Sequence, residues 1–317
     1  MKHVFILHSN ITALCASNYI KHFSPSNILI LTRRGYIWPF EKDLYTIIDI
    51  SHIEEEMDIS YKSSCTFIDR YRKRVDKEDM LIKQTRLLVN EEDFLLYTPH
   101  LDIILARNFI ENPFCNGFYY LEEGLMSYTP IKTLKKRYFK QWRKIVFYYF
   151  MGWKFYFYYY SKTNKFLGSI GLTEEAFSWN KKEKIVLKLK QSSEKIDKKI
   201  KYLIVCGYLE EDINDINKCI KIVIDNIHSE NKEEIALKLH PQSFFNNREK
   251  TDVLTNRWSG ILKVLPSDFI AEELLLSCTP VVFNICEFSS LSMYALKFGC
   301  KLYLIDNKSF ILQKYNT

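Results

Sequence analysis

Short unbroken apolar runs alternate with stretches of helical period along most of this chain. Val4 to Leu7 is a buried-strand pattern, the polar loop His8-Ser9-Asn10 follows, and Thr12 to His22 carries apolar residues at helical spacing. Asn27 to Leu31 reads as a second strand, ending in Thr32-Arg33-Arg34-Gly35. Strand, helix and strand in such quick succession make a βαβ unit and predict a parallel sheet. Residues 41–95 are charged and mixed, predicting helices with loops. Leu101 to Leu105 reads as another strand, and Gly117 to Leu121 as one that delivers Glu122-Glu123-Gly124 at its carboxyl end.

Residues 135–165 interleave Lys and Arg with Tyr, Phe and Trp, and residues 180–201 are lysine-rich with few turn formers. Alternation then restarts. Strands are predicted over Tyr202 to Cys206, Ile235 to Leu239, Leu262 to Leu265, Val281 to Ile285 and Lys301 to Ile305. Helices are predicted over Asp212 to Ile227, Phe269 to Ser277 and Ser290 to Phe298. The pattern predicts an α/β chain of two units, residues 1–196 and 197–317.

Composition narrows the class. A chain of 317 residues with 15% aromatics is neither disordered nor linker-like, and 9 Gly with 8 Pro exclude a collagen-like chain. No GxGxxG and no Walker-type loop occurs, so two nucleotide-binding fingerprints are missing. The balance of 45 Lys+Arg over 38 Asp+Glu, a net +7, suits an anionic partner without choosing among nucleotide, phospholipid and nucleic acid. Eight cysteines form no CxxC pair and several sit in apolar runs, as expected of buried thiols in a reducing compartment. The first apolar run is too short for a signal peptide and the aromatic block holds no apolar run long enough to span a bilayer. The expected location is cytoplasmic.

Three short segments could carry chemistry. In Pro280 to Leu291 a strand ends, a loop follows, and Ser289-Ser290 open a helix. Helix starts present unsatisfied amides and the positive end of the macrodipole, which suits a phosphate, although a serine there can simply cap the helix. Lys238-Leu239-His240-Pro241 places a histidine at a strand end, in an extended backbone before proline. Glu122-Glu123-Gly124 puts two carboxylates on opposite faces of an extended chain, so at most one enters a cleft. Each segment has a structural alternative: a capped helix, a satisfied histidine, a solvated acidic turn.

Their order and strand-end settings together resemble the bacterial sialyltransferases of the GT-B type. The signatures there are an acidic-acidic-Gly turn, a His-Pro dipeptide and a Ser/Thr-Ser pair, matched here by Glu122-Glu123-Gly124, His240-Pro241 and Ser289-Ser290. The resemblance implies a GT-B fold, two Rossmann-like domains whose parallel sheets face each other across a cleft. It implies an inverting transferase that moves sialic acid or a related nonulosonic acid from a CMP donor to a cell-surface glycan, lipooligosaccharide or capsule. Glu122 would be the general base, with Glu123 its rival because this chain uses Glu at both acidic positions. His240 would stabilise the departing CMP, with Ser289 and Ser290 on its phosphate. Lys238 and Pro241 would lie near the nucleotide, Glu273 or Glu272 on the ribose, and Gly207 after the first strand of the donor domain.

No cofactor is implied. The chain has no Asp-x-Asp, the metal-holding motif of metal-dependent glycosyltransferases, and metal-independent transfer is expected. His8, Ser9, Asn10 and Arg33 follow the first two strands and are candidate acceptor contacts, while the histidines other than His240 show no metal-ligand spacing. Residues 135–165 fit core helices, a homodimer interface or contact with the inner face of the cell membrane, and no RNA-binding signature accompanies them. Two rival readings keep their place: a transferase using CMP-Kdo or a UDP- or GDP-sugar, and a silent lipid-associated interaction protein.

Overall fold

A computed structural model describes residues 1–41, 44–51, 82–101, 103–142, 163–188, 199–207, 212–227, 231–240, 247–285, 288–306 and 309–315, with 80, 145–146, 149, 159 and 243 as isolated positions. The chain divides into two compact units, Met1–Leu189 and Lys190–Thr317. Both are α/β and Rossmann-like, each built on a mainly parallel sheet.

In the first unit, β1 (Lys2–Leu7), β2 (Ile28–Thr32), β3 (Thr46–Asp49), β4 (Phe94–Thr98), β5 (Cys115–Leu121), β6 (Phe166–Gly171) and β7 (Glu183–Val186) form one sheet. Its order is β3-β2-β1-β4-β5-β6-β7, and every neighbouring pair is parallel. Val4, Phe5, Ile6 and Leu7 are all fully buried. A strand covered on both faces reads as an unbroken apolar run, which is why β1 was legible. Helix α1 (Asn10–Phe23) follows through a capping box in which the Ser9 side chain accepts from Thr12 N and the Thr12 side chain accepts from the cap amide.

The strand expected at Leu101 to Leu105 is a misreading. Helix α2 (Ile104–Glu111) begins within it, and the strand is β4, seven residues upstream of the expected run. Buried Leu101, Ile103, Leu105, Ala106, Phe109 and Ile110 continue with helical period, whereas a five-residue window catches only their first members. Strand β7 falls near the start of the lysine-rich stretch of residues 180–201, where the sequence pattern predicts no strand. It is a partly exposed edge strand whose charges suit solvent, and Gly168 on β6 leaves room for the carbonyl of Glu183 that a Cβ would strike.

In the second unit, β8 (Tyr202–Cys206), β9 (Ile235–Lys238), β10 (Lys263–Val264), β11 (Val281–Ile285), β12 (Leu302–Ile305) and β13 (Leu312–Lys314) are ordered β10-β9-β8-β11-β12-β13. Only β13, which the sequence pattern missed, is antiparallel. The other helices are α3 (Ile131–Lys140) in the first unit, and α4 (Ile213–Asn226), α5 (Arg248–Trp258), α6 (Ala271–Cys278) and α7 (Ser290–Lys297) in the second. Ile216, Cys219, Ile220 and Val223 line one face of α4 and pack with Ile204, Leu237, Leu254 and Phe283 in the core. Buried Trp258 donates to Asn217 Oδ1 at 2.8 Å, so its indole N–H is satisfied.

Each sheet reverses its strand order once, between β1 and β4 in the first and between β8 and β11 in the second. Open α/β sheets bind ligands outside the carboxyl ends of their strands at such reversals. Among the described residues no helix is long and apolar enough to cross a membrane.

Candidate functional site

The acidic turn leaves β5 at the carboxyl end of the first sheet, and the pleat sends its two carboxylates apart. Glu122 turns inward and is fully buried. Tyr128 Oη donates to its Oε1 at 2.5 Å, and the amide of Leu172 donates to its Oε2 at 2.6 Å. Gly171 makes this fit possible, because a Cβ there would stand 3.0 Å from Oε2. The carboxylate thus ties β5 to the turn Leu125–Tyr128 and to the residue after β6.

Glu123 turns the other way. Tyr159 Oη donates to its Oε1 at 2.7 Å, while Oε2 lies 3.7 Å from His8 Nε2 and 3.6 Å from His100 Nε2. Its own amide donates to Ser127 Oγ at 3.0 Å, and Gly124 takes φ of 106°, a left-handed value that glycine tolerates. His8 follows β1 and His100 follows β4, so the cluster sits over the strand reversal. Thr98 Oγ1 donates to the carbonyl of His100 at 3.0 Å and fixes that turn.

Both imidazoles are held neutral at physiological pH. Burial drives His8 well below the ordinary histidine value, and the neighbouring His100, Arg33 and Arg34 further disfavour a proton on it. Burial, then Arg33 and Arg34, brings His100 down to about 3. The contacts to Glu123 are therefore not ion pairs, and His8 Nδ1 is buried with no hydrogen-bond partner among the described residues. Burial and the nearby Glu123 charge push the Tyr159 phenol up, so it stays a donor.

Of the four expected acceptor contacts, only His8 joins this cluster directly. Ser9 is occupied in capping α1, buried Asn10 accepts from Tyr36 Oη at 3.1 Å, and buried Arg33 follows β2 and acts on both histidines through its charge.

In the second unit the candidate residues follow three adjacent strands, β9, β8 and β11. Lys238 ends β9 and donates to the carbonyls of Pro266 at 2.8 Å and Ser267 at 3.0 Å. Burial brings its ammonium down to about 8, with Glu272 and Asp268 pulling the other way. Burial raises the Glu272 carboxyl, whose Oε2 has no hydrogen-bond partner among the described residues. Glu273, next on α6, is half-buried. His240 follows β9, and burial, then Lys238, lowers its pKa. Pro241 lies outside the described residues.

Gly207 follows β8 and has open space on its Cβ side, the nearest atom to an added Cβ being Ile285 O at 3.9 Å. Ser289 is the N-cap of α7: its hydroxyl accepts from Ser292 N, and its amide donates to Ser292 Oγ at 3.2 Å. Ser290 takes the first helical position, where amides point out of the helix start.

The sequence reading missed His100, Tyr159, Ser127 and Tyr128. His100 had one available signal, its place just after an apolar run, which the misplaced strand concealed. Ser127 and Tyr128 come from the short turn just after Gly124, and only Tyr159 is brought in by tertiary packing. Tyr159 belongs to the aromatic block, where it and Tyr138 are buried. Phe139, Trp142, Val146 and Tyr149 are instead 61%, 59%, 44% and 79% exposed. Residues 143–144, 147–148, 150–158 and 160–162 lie outside the described residues.

The sequence matches no family model, and no curated protein matches it. Solved structures align over nearly the whole chain at low identity. A protein classed as a UDP-N-acetylglucosamine 2-epimerase from Listeria monocytogenes gives a TM-score of 0.48 at 10% identity, covering 95% of this chain and 78% of that one. UDP-GlcNAc 2-epimerase from Methanocaldococcus jannaschii gives 0.45 at 13%, covering 97% and 89%. ADP-heptose lps heptosyltransferase II from E. coli gives 0.40 at 12%, covering 96% and 85%. Likeness at this level carries no argument about the reaction.

Proposed function

We propose that this chain is a nucleotide-sugar-dependent glycosyltransferase, inverting and metal-independent, with sialic acid or a related nonulosonic acid on CMP as donor and a cell-surface glycan as acceptor. The observation that carries the reading is positional. The three motif segments, far apart in sequence, all emerge at carboxyl ends of parallel strands: Glu122-Glu123 after β5, His240 after β9 and Ser289-Ser290 after β11. Chance occurrences of such short motifs have no reason to share that setting.

The base is assigned to Glu123 rather than Glu122. A base must reach the proton it takes, and both Glu122 oxygens are already committed to buried donors. Glu123 instead presents Oε2 beside two neutral imidazoles, a setting from which a carboxylate can accept a hydroxyl proton. The acceptor oxygen attacks the anomeric carbon as the bond to the donor phosphate breaks, and the acceptor proton passes to Glu123. The leaving phosphate gathers negative charge. The start of α7, with Ser290 at its first position, and His240 supply donors to it, and that electrostatic support replaces strong acid catalysis.

The test is nucleotide release by the full chain from CMP-sialic acid, CMP-Kdo and UDP-, GDP- and ADP-sugars, with a glycan acceptor and EDTA. Release from CMP-sialic acid supports the reading in full. Release only from another donor keeps the transferase and removes the sialic acid. No release from any donor overturns it.

A further inference from the structure

The atoms of the Glu123 cluster converge without bonding one another. One ligating atom from each of His8, His100 and Glu123 lies within 4.8 Å of the other two. Yet the carboxylate stands 3.7 and 3.6 Å from the two nitrogens, beyond hydrogen-bond range. Three ligating atoms around one point, with the carboxylate too far from either imidazole for a direct hydrogen bond, match the spacing of donors around a shared ion. Tetrahedral zinc with bonds of about 2.0–2.2 Å sets its ligand atoms roughly 3.3–3.6 Å apart. Small side-chain rotations would close the difference.

The frame around these atoms is firm. His8, His100 and Glu123 follow β1, β4 and β5, three consecutive strands of one sheet. Tyr159 holds the remaining carboxylate oxygen at 2.7 Å and lies 3.3 Å from Ser127 Oγ, the kind of outer partner that orients a ligating carboxylate. Because His8 Nδ1 has no partner among the described residues, moving the ring proton there leaves Nε2 ready to ligate and breaks no hydrogen bond seen there. Two imidazoles and one carboxylate suit zinc better than magnesium or calcium, and three protein ligands leave a fourth position open.

We propose that His8, His100 and Glu123 bind one divalent ion of the zinc class, and that the bound ion switches transfer off. The inhibitory half rests on the transferase reading, since an ion on Oε2 occupies the oxygen assigned to take the acceptor proton. The binding half stands on the geometry alone.

Calorimetric titration of the full, metal-stripped chain with zinc chloride tests the first half, with metal content counted after gel filtration. One zinc per chain is expected, lost in His100→Gln. Tyr159→Phe keeps all three ligands and should weaken binding by about 10–100-fold. Circular dichroism of both variants separates lost ligation from lost folding. No stoichiometric zinc in the wild type, or unchanged affinity in a folded His100→Gln, overturns the site. For the second half, nucleotide release should fall as zinc fills the site and return with EDTA. Unchanged or faster release at full occupancy overturns the inhibition. Failure of the transferase reading looks different, with no release in EDTA from any donor while zinc binding is unaffected.

Discussion

Replacing Glu122 by alanine removes the acceptor for two buried donors at once, the Leu172 amide at 2.6 Å and Tyr128 Oη at 2.5 Å. Hydrogen bonds to a charged group contribute about 1.5–3 kcal/mol each, so the loss comes to about 3–6 kcal/mol. Tyr128 keeps Thr173 Oγ1 at 2.7 Å, which places the expected cost toward the lower end, and the Leu172 amide has no such second contact to fall back on among those described. Glu122→Gln keeps an acceptor for one donor and should cost roughly half as much. Glu123→Gln leaves Tyr159 with an oxygen to donate to, so stability should change by less than about 1 kcal/mol. Turnover should nevertheless fall by about 10²–10⁴-fold, the range for a lost general base. Urea unfolding and donor turnover measured on all three variants check the assignment. If Glu122→Ala lies within about 1 kcal/mol of wild type, or Glu122→Gln loses turnover with stability intact while Glu123→Gln stays active, the division between anchoring and reacting carboxylate is wrong.

The serine pair gives a kinetic test: Ser289→Ala with Ser290→Ala should raise the donor KM, with about 1 kcal/mol of stability lost as the α7 cap goes, and an unchanged KM would remove the phosphate role. Lys238 gives a pH test. Its folded pKa of about 8 lies below the unfolded value, so between about pH 8 and 10 the unfolded chain holds more protons at this residue than the folded one, and its contribution to stability increases as pH rises across that window. Lys238→Met should abolish that increase in urea titrations at several pH values, and parallel curves for the two proteins would refute it. Exposed Phe139, Trp142, Val146 and Tyr149 accompany Lys135, Lys136, Arg137 and Lys140, a combination that fits anionic lipid. Trp142→Ala should weaken sedimentation with phosphatidylglycerol vesicles, and equal binding by both proteins, or by neither, counts against a membrane-facing role.

Legibility followed local pattern. Strands buried on both faces, such as β1, β8 and β11, announced themselves as unbroken apolar runs, and α1, α4 and α7 by their period and first-turn residues. Elements lacking that contrast were missed. Edge strands β3, β7 and β13 carry polar or charged residues because one side meets solvent, and β6 contains Gly168 and Gly171, which pattern alone reads as turn formers.

By itself the sequence determined the α/β class, the two-unit order and the placement of its three short motifs at strand ends, because short-range apolar periodicity encodes all of these. Alternation along β5 also required the neighbouring glutamates to face opposite ways. Only the tertiary structure decided which one anchors and which one meets the histidines. The deciding partners, Leu172 and Tyr159 together with His8 and His100, lie far along the chain, and sheet order rather than sequence distance brings them to the end of β5.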